Sequence, residues 1–209
     1  MKKIYNPLKE SWPVLLKRPT VTIDDVEITV NKVFNEVKQQ GDAAVLKYTN
    51  LFDGVQLDTL SVTNDEIQKA IKSVPAELKE AIKIAKANIE KFHKAQKTEK
   101  IIVETTEGVT CWQEKRPIQK IGIYIPGGTA PLFSTVLMLA IPAQLAGCSE
   151  IILCSPPNKK GEIHPAILYT AQLCGVTTLY KVGGIQAIAA MAFGTESIPK
   201  TYKIFGPGN

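Results

Sequence analysis

The fold is decided by the stretch Ile121-Gly122-Ile123-Tyr124-Ile125-Pro126-Gly127-Gly128, an apolar run that ends in a glycine turn. A short apolar run bounded in this way is typical of a strand that is buried on both faces of a sheet. Three further runs of this kind follow at intervals of roughly 25–30 residues, at 151–154, 178–182 and 202–205. The repetition predicts a parallel sheet of four strands.

Helical patterns fill the intervals between these runs. They lie near 132–145, 165–174 and 185–193. Each one ends close to a glycine, where a left-handed residue commonly terminates a helix: Gly147, Gly175 and Gly194. Strands that alternate with helices indicate βαβ units, so we expect a Rossmann-like arrangement.

The first half of the chain has a different character. Residues 1–100 contain 31 charged residues and two glycines, whereas residues 101–209 contain 14 charged residues and 12 glycines. Helical spacing predicts a helix that Asp24-Asp25 caps and that ends before Gly41, and further helices that open at Asp42, at Thr63 and after Pro75. A β-hairpin is predicted around Glu107-Gly108.

These patterns predict the α/β fold class, with a helical N-terminal half followed by an incomplete Rossmann-like parallel sheet. We expect three parts: an N-terminal arm at 1–18, a helix-rich part with the hairpin at 19–120, and a Rossmann-like part at 121–209 that is truncated at its end. The arm carries Trp12, Leu15 and Leu16 but has little core of its own. We therefore expect it to pack on another surface, such as a second subunit.

Composition argues against several classes of protein. The net charge of +5 comes without a long run of like charges, which argues against nucleic-acid binding. No apolar stretch reaches the roughly 18 residues that a membrane span requires. The four cysteines lack CxxC spacing and lie in apolar surroundings, which predicts reduced core thiols in a cytoplasmic protein: Cys111, Cys148, Cys154 and Cys174.

The loops after the four strands are the expected place for a ligand, because the carboxyl ends of parallel strands meet at one edge of the sheet. Three of these four loops are rich in glycine, which lets the backbone approach a ligand and exposes N–H groups at a helix start. The side chains offered there are Tyr124, Thr129, Ser155, Gln186 and Asn209. An aromatic ring can cover a flat group, and an amide can both donate and accept.

Pattern alone leaves the ligand open. Gly183-Gly184 is equally compatible with a plain tight turn, although three such loops on one edge favour a binding site. The dinucleotide fingerprint G-x-G-x-x-G is absent, and no acidic residue ends the second strand. The residues therefore predict a nucleotide-sized anion or cofactor site. We identify no catalytic constellation and no metal-binding spacing, and His93 and His164 are interpreted as solvated side chains.

Five longer stretches of the second half are distinctive: YIPGGTAPLFSTVLMLA at 124–140, AGCSEIILCSPP at 146–157, AQLCGV at 171–176, VGGIQAIAA at 182–190 and KIFGPGN at 203–209. With these stretches, residues 121–209 strongly resemble histidinol dehydrogenase. In the first half, GDAA at 41–44 and WQEKRP at 112–117 also look like the family, so the resemblance covers nearly the whole chain.

The resemblance implies an oxidoreductase of histidine biosynthesis. The family enzyme is a zinc-dependent homodimer that oxidises L-histidinol through histidinal to L-histidine with two molecules of NAD. Its NAD contacts correspond to Tyr124, Gln186 and Asn209 in this chain. Its zinc ligands, substrate contacts and acid/base pair come after the Gly-Pro-Gly-Asn loop, so none has a counterpart here. We therefore expect an N-terminal portion of the enzyme that is inactive by itself.

Two alternatives stay open at this point. A relative that oxidises another small polar alcohol would carry the same loops, because the substrate contacts lie outside this chain. A non-catalytic nucleotide-binding or assembly module would bind NAD without turnover, although the uncovered edge of the last strand argues against a free-standing domain.

Overall fold

The computed structural model describes residues 3–17, 23–128 and 130–207, and the chain divides into two compact units, 1–32 and 33–209. In the first unit, a 3-10 turn at Lys9–Ser11 leads into the short helix α1, Trp12–Leu15. The indole Nε1 of Trp12 donates to the carbonyl of Pro7 at 3.2 Å. Leu16 is largely exposed. The packing of this arm on another surface stays a prediction.

The described residues of the helix-rich part form four longer helices and a hairpin. The helices are α2, Ile23–Gln40; α3, Asp42–Asp53; α4, Asn64–Ser73; and α5, Ala76–Lys94, and the hairpin strands are β1, Ile101–Thr106, and β2, Val109–Gln113. The predicted start of α4 is confirmed, because Thr63 and Glu66 form a reciprocal capping box. Helix α2 begins at Ile23, so Asp24 and Asp25 belong to its first turn and do not precede it.

The second half confirms the predicted fold class. Its elements are β3, Lys120–Tyr124; α6, Phe133–Ala146; β4, Glu150–Ser155; α7, Pro165–Leu173; β5, Thr178–Lys181; α8, Gly184–Phe193; and β6, Lys203–Phe205. The four strands are parallel and lie in the order β5-β4-β3-β6. Ile123 stands opposite Leu153 on one side and Phe205 on the other.

The sheet has an apolar core on each face, because successive side chains of a strand point to opposite sides. Leu153 packs into the core that α4, α5, α6 and α7 cover, whereas Ile152 and Cys154 pack into the core under α3 and α8. Helix α2 adds Val33 and Val37 to this second core. The result is a layered α/β structure whose helices fix the strand ends.

The outer edge of β5 is covered by the segment that leads into α4. The N–H of Val62 donates to the carbonyl of Leu179 at 2.9 Å, and the N–H of Lys181 donates to the carbonyl of Leu60 at 2.7 Å. The ammonium of Lys181 is buried and contacts Glu66 Oε1 at 3.1 Å. These contacts fix the end of β5 directly before the Gly183-Gly184 turn.

Helix α3 is capped by a residue from a distant part of the chain. The backbone N–H of Asp42 donates to the Glu196 carboxylate at 2.7 Å, and Ser197 Oγ donates to the Asp42 carboxylate. Gly41, directly before the helix, has a φ of +53°, in the left-handed region that favours glycine, and a methyl group there would displace the Glu196 carboxylate. A carboxylate at a helix start is favourable because it satisfies a free N–H and complements the helix dipole.

Replacing Glu196 by alanine is therefore expected to lower the free energy of unfolding by about 1 kcal/mol, the usual value of an N-terminal cap. For a chain of this size, the melting temperature should fall by about 2–4 °C. Thermal unfolding followed by circular dichroism measures this change. Glu162→Ala is the matched control, because Glu162 is exposed and caps no helix. Equal melting temperatures for both variants would contradict the capping role.

The prediction of four core thiols is wrong for Cys111. Cys154 and Cys174 are buried and Cys148 is partly buried, but Cys111 is exposed on β2. The reason is that every residue of β1 and β2 is exposed. The apolar residues of this hairpin therefore do not mark a core of the described chain.

Candidate functional site

The loops after β3, β4 and β5 meet at one edge of the sheet, where Pro156 fits between two glycines. A methyl group added at Gly183 would lie 2.4 Å from Pro156 Cβ, and one added at Gly127 would lie 2.7 Å from Pro156 Cγ. The loop after β6 joins them, because a methyl group at Gly206 would lie 2.6 Å from the carbonyl oxygen of Tyr124. Only glycine permits such close approach of the loops.

Tyr124 connects β3 to the start of α8. The N–H of Gly184 donates to the hydroxyl oxygen of Tyr124 at 2.9 Å. Gly184 has a φ of +60°, in the left-handed region that favours glycine. Among the described residues, no side chain caps α8 at its N-cap Gly183. The positive end of the helix dipole, together with the N–H groups of the first turn, suits an anion such as a phosphate.

Gln186 lies in the first turn of α8 and is fully buried. Its Nε2 donates to Asp53 Oδ2 at 3.4 Å. Its Oε1 has no hydrogen-bond partner in the part of the chain that the structure describes. A buried acceptor without a partner is costly in a folded protein, so this oxygen marks a place where a ligand donor would be stabilised.

Asp53 is a site residue that the sequence patterns did not indicate. It is the last residue of α3, a position where the helix dipole disfavours an acid. Lys159 compensates by donating from its Nζ to the carbonyl oxygen of Asp53 at 2.7 Å. The sequence offers one signal for Asp53: an acidic residue directly before Gly54, at the helix end where the dipole disfavours negative charge. Such a residue is expected to have a role other than helix formation.

Tyr124, Gln186 and Asp53 lie together beside the start of α8, in what we call the crevice. The pKa values of two of its titratable groups are raised. Burial is the main reason that the pKa of Asp53 is raised, although the positive charge of Lys159 opposes the change. Burial also raises the pKa of Tyr124, helped by the Asp53 charge and opposed by the Gly184 hydrogen bond. Tyr124 therefore stays protonated at neutral pH and acts as a hydroxyl, not as a phenolate.

The comparisons with known proteins agree with one another. A sequence profile described as "Histidinol dehydrogenase" matches residues 16–209. The chain is 60% identical to the histidinol dehydrogenase of Bacteroides thetaiotaomicron over 209 residues, which are 100% of this chain and 49% of the relative. It is 53% identical to that of Aliivibrio fischeri over 208 residues, 99% of this chain and 46% of the relative.

The chain belongs to the histidinol dehydrogenase family. A crystal structure of histidinol dehydrogenase from Elizabethkingia anophelis matches with a TM-score of 0.90 and 57% identity, covering 98% of this chain and 47% of that one. The chain therefore spans about half the length of the relatives it matches. Its fold is that of the corresponding half of a histidinol dehydrogenase.

The structure brings two of the three residues that the family resemblance implied into one crevice. Tyr124 and Gln186 both contact the start of α8, one through Gly184 and the other as part of the helix. Asn209 and Thr129 lie outside the described residues. Ser155, which the loop pattern also offered, is buried at the end of β4. The NAD contacts of this family member stay a prediction.

The buried cysteine thiols are poorly suited to act as nucleophiles. Burial raises the pKa of the Cys154 thiol to about 12 and that of Cys174 to about 11, so neither supplies a thiolate. Across residues 3–17, 23–128 and 130–207, no group of three His, Cys, Asp or Glu side chains could hold a metal ion. None of the described helices is long and apolar enough to cross a bilayer.

A cavity of about 710 Å³ lies apart from the crevice, between α5, α6 and β6. Met138 and Pro142 give it an apolar floor, and Lys97 and Arg116 contribute positive charge. It contains neither Tyr124 nor Gln186. In this member of the family, the cavity is therefore a separate concave surface from the crevice that contains Tyr124 and Gln186.

Proposed function

We propose that this chain forms the NAD-binding part of a cytoplasmic, zinc-dependent histidinol dehydrogenase that oxidises L-histidinol to L-histidine as a homodimer. The observation that carries the proposal is the buried Gln186 Oε1, which lacks a described partner in the first turn of α8. Family membership supplies the reaction, and the crevice supplies a place for the cofactor. The dinucleotide fingerprint is not needed, because glycines on three separate loops provide the close backbone approach.

The residues of the crevice fit the chemical groups of NAD. The N–H groups at the start of α8 suit a pyrophosphate, and Gln186 Oε1 suits a ribose hydroxyl or a carboxamide N–H. The ring of Tyr124 can cover a flat base, while its hydroxyl keeps the Gly184 turn in place. When bound, NAD accepts the hydride, and these residues hold and orient it. We propose Asn209 as a further contact on the family pattern.

We assign zinc binding and proton transfer to residues that this chain does not contain. The described residues offer no metal cluster, and the family resemblance assigns the ligands and the acid/base pair to the half of the enzyme that this chain does not span. Zinc would polarise the substrate alcohol there. The 209-residue chain thus supplies cofactor binding without the groups that remove the protons.

The decisive test compares the 209-residue chain with the protein as the gene encodes it. With L-histidinol, NAD and zinc, the 209-residue chain is expected to form no NADH, whereas a protein of the relatives' length should form it. Absorbance of NADH at fixed substrate measures both. Other small polar alcohols serve as controls for the substrate. Turnover by the 209-residue chain would contradict the assignment of zinc and acid/base groups to the other half.

A further inference from the structure

We propose that Asp53 is a positioning residue that fixes the amide of Gln186 with its Oε1 turned to the ligand. The inference rests on the proposed function, because it concerns the same crevice. It adds a residue from α3 to a site that is otherwise built from strand-to-helix loops. It also assigns Gln186 one role: a hydrogen-bond acceptor that selects an N–H or O–H group of NAD.

The orientation follows from the chemistry of the two side chains. An ionised carboxylate only accepts hydrogen bonds, whereas an amide has a donor end and an acceptor end. Asp53 Oδ2 therefore takes the Nε2 end of Gln186, at 3.4 Å. The flipped amide would place two oxygens against each other. Because Gln186 is fully buried, solvent cannot compensate for that repulsion.

The free end of the amide faces the Gly184 turn. Gln186 Oε1 lies 3.0 Å from the position that a methyl group at Gly184 would occupy, and no described group donates to it. A side chain larger than hydrogen at Gly184 would fill the space beside this oxygen. An amide oxygen only accepts hydrogen bonds, so a ligand atom that contacts Gln186 Oε1 must be a donor, such as a ribose hydroxyl or a carboxamide N–H.

Asp53 is itself held in place at the end of α3. The Lys159 ammonium donates to the carbonyl oxygen of Asp53. The same Nζ lies 2.6 Å from the position that a methyl group at Gly54 would occupy. The other end of α3 is capped by Glu196. Both ends of the helix are thus anchored to the βα part of the chain, which gives Asp53 a defined position against Gln186.

A double-mutant cycle tests the inference in the protein as the gene encodes it, with NAD binding measured by calorimetry. Asp53→Ala is expected to raise the dissociation constant of NAD about five- to tenfold when Gln186 is present, since the binding-competent orientation becomes a minor population. In the Gln186→Ala background, the same change is expected to alter it less than about twofold, because a positioning residue acts only through its partner. In the activity assay, the KM for NAD should rise while kcat stays nearly constant.

Asp53→Asn is the control for a folding defect in Asp53→Ala, because asparagine keeps the shape of the aspartate side chain. The asparagine amide can pair with either end of the Gln186 amide, so we expect about a two- to threefold loss of affinity. Asp58→Ala is the matched control, since Asp58 is exposed, and should bind NAD like the wild type.

Two results would overturn the inference: unchanged NAD affinity in Asp53→Ala, or an equal loss in both backgrounds. Failure of the wild type to bind NAD would overturn the proposed function itself, which is a distinguishable result.

Discussion

Replacing Gly183 by valine is expected to weaken NAD binding by about a hundredfold while the protein remains folded. The valine Cβ would lie 2.4 Å from Pro156 Cβ and 3.2 Å from Pro156 Cα, so backbone as well as side chain must move. Gly183 is the N-cap of α8, and its carbonyl accepts the first hydrogen bond of that helix, from Ala187. A shift here relocates the N–H groups and Gln186 together, and a displacement of about 1 Å can cost about 10²-fold.

Calorimetric titration with NAD measures this loss in the protein as the gene encodes it. Overpacking should also lower the free energy of unfolding by about 1–3 kcal/mol, which thermal unfolding detects. Gly108→Ala is the control, because Gly108 has a φ of +80° in the hairpin and a methyl group there meets no atom within 4 Å. That variant should lose some stability and no NAD affinity. Wild-type affinity in Gly183→Val would show that the loop lies away from the ligand.

Replacing Glu66 by alanine is expected to lower the free energy of unfolding by about 2–3 kcal/mol. The change leaves the buried ammonium of Lys181 without its counterion and removes the capping box of α4. Because Glu66 is partly exposed, the cost is smaller than for a fully buried pair. Glu66→Gln separates the two effects, since glutamine can still form the capping box. It should cost about 1–2 kcal/mol.

The contribution of Glu66 depends on pH. Burial alone would raise its pKa, but hydrogen bonds from the Thr63 N–H and from Lys181 together lower the pKa below the usual 4.5. A depressed carboxyl pKa stabilises the folded protein above the unfolded value and loses this contribution as pH falls through the folded value. The advantage of wild type over Glu66→Gln should therefore be full above about pH 5 and shrink at lower pH.

Denaturant unfolding at a series of pH values follows this difference. Glu77→Gln is the matched control, because Glu77 also lies in the first turn of a helix but is exposed. Its stability should stay within about 0.5 kcal/mol of the wild type at every pH. A constant difference between wild type and Glu66→Gln across the acid range would contradict the role of the charge.

The strands and helices of the second half could be predicted because their signals are local. The apolar run before Gly127 and the glycine that ends each helix act within a few residues of themselves. Tyr124 and Gln186 could be predicted as site residues for a similar reason, because the topology of parallel strands brings their loops to one edge of the sheet. The family resemblance then added the cofactor.

The contacts that complete the site are non-local, and no sequence pattern reveals which residues they join. Asp53 meets Gln186 across 133 residues, and Glu196 meets Asp42 across 154. The prediction for Cys111 is wrong for a related reason: apolar neighbours in the sequence predict a core thiol, whereas β1 and β2 have no covering layer among the described residues. Pairing partners depend on packing in three dimensions, which a pattern of residue types does not specify.

The central claim is that NAD binds at the start of α8, between Tyr124 and Gln186. A crystal structure of the protein as the gene encodes it, grown with NAD, tests this most directly. We predict density for the dinucleotide against the N-terminus of α8, with a donor group of the ligand at hydrogen-bond distance from Gln186 Oε1. Density for NAD in the cavity lined by Met138 and Pro142, with nothing bound beside the Gly183-Gly184 turn, would contradict the claim.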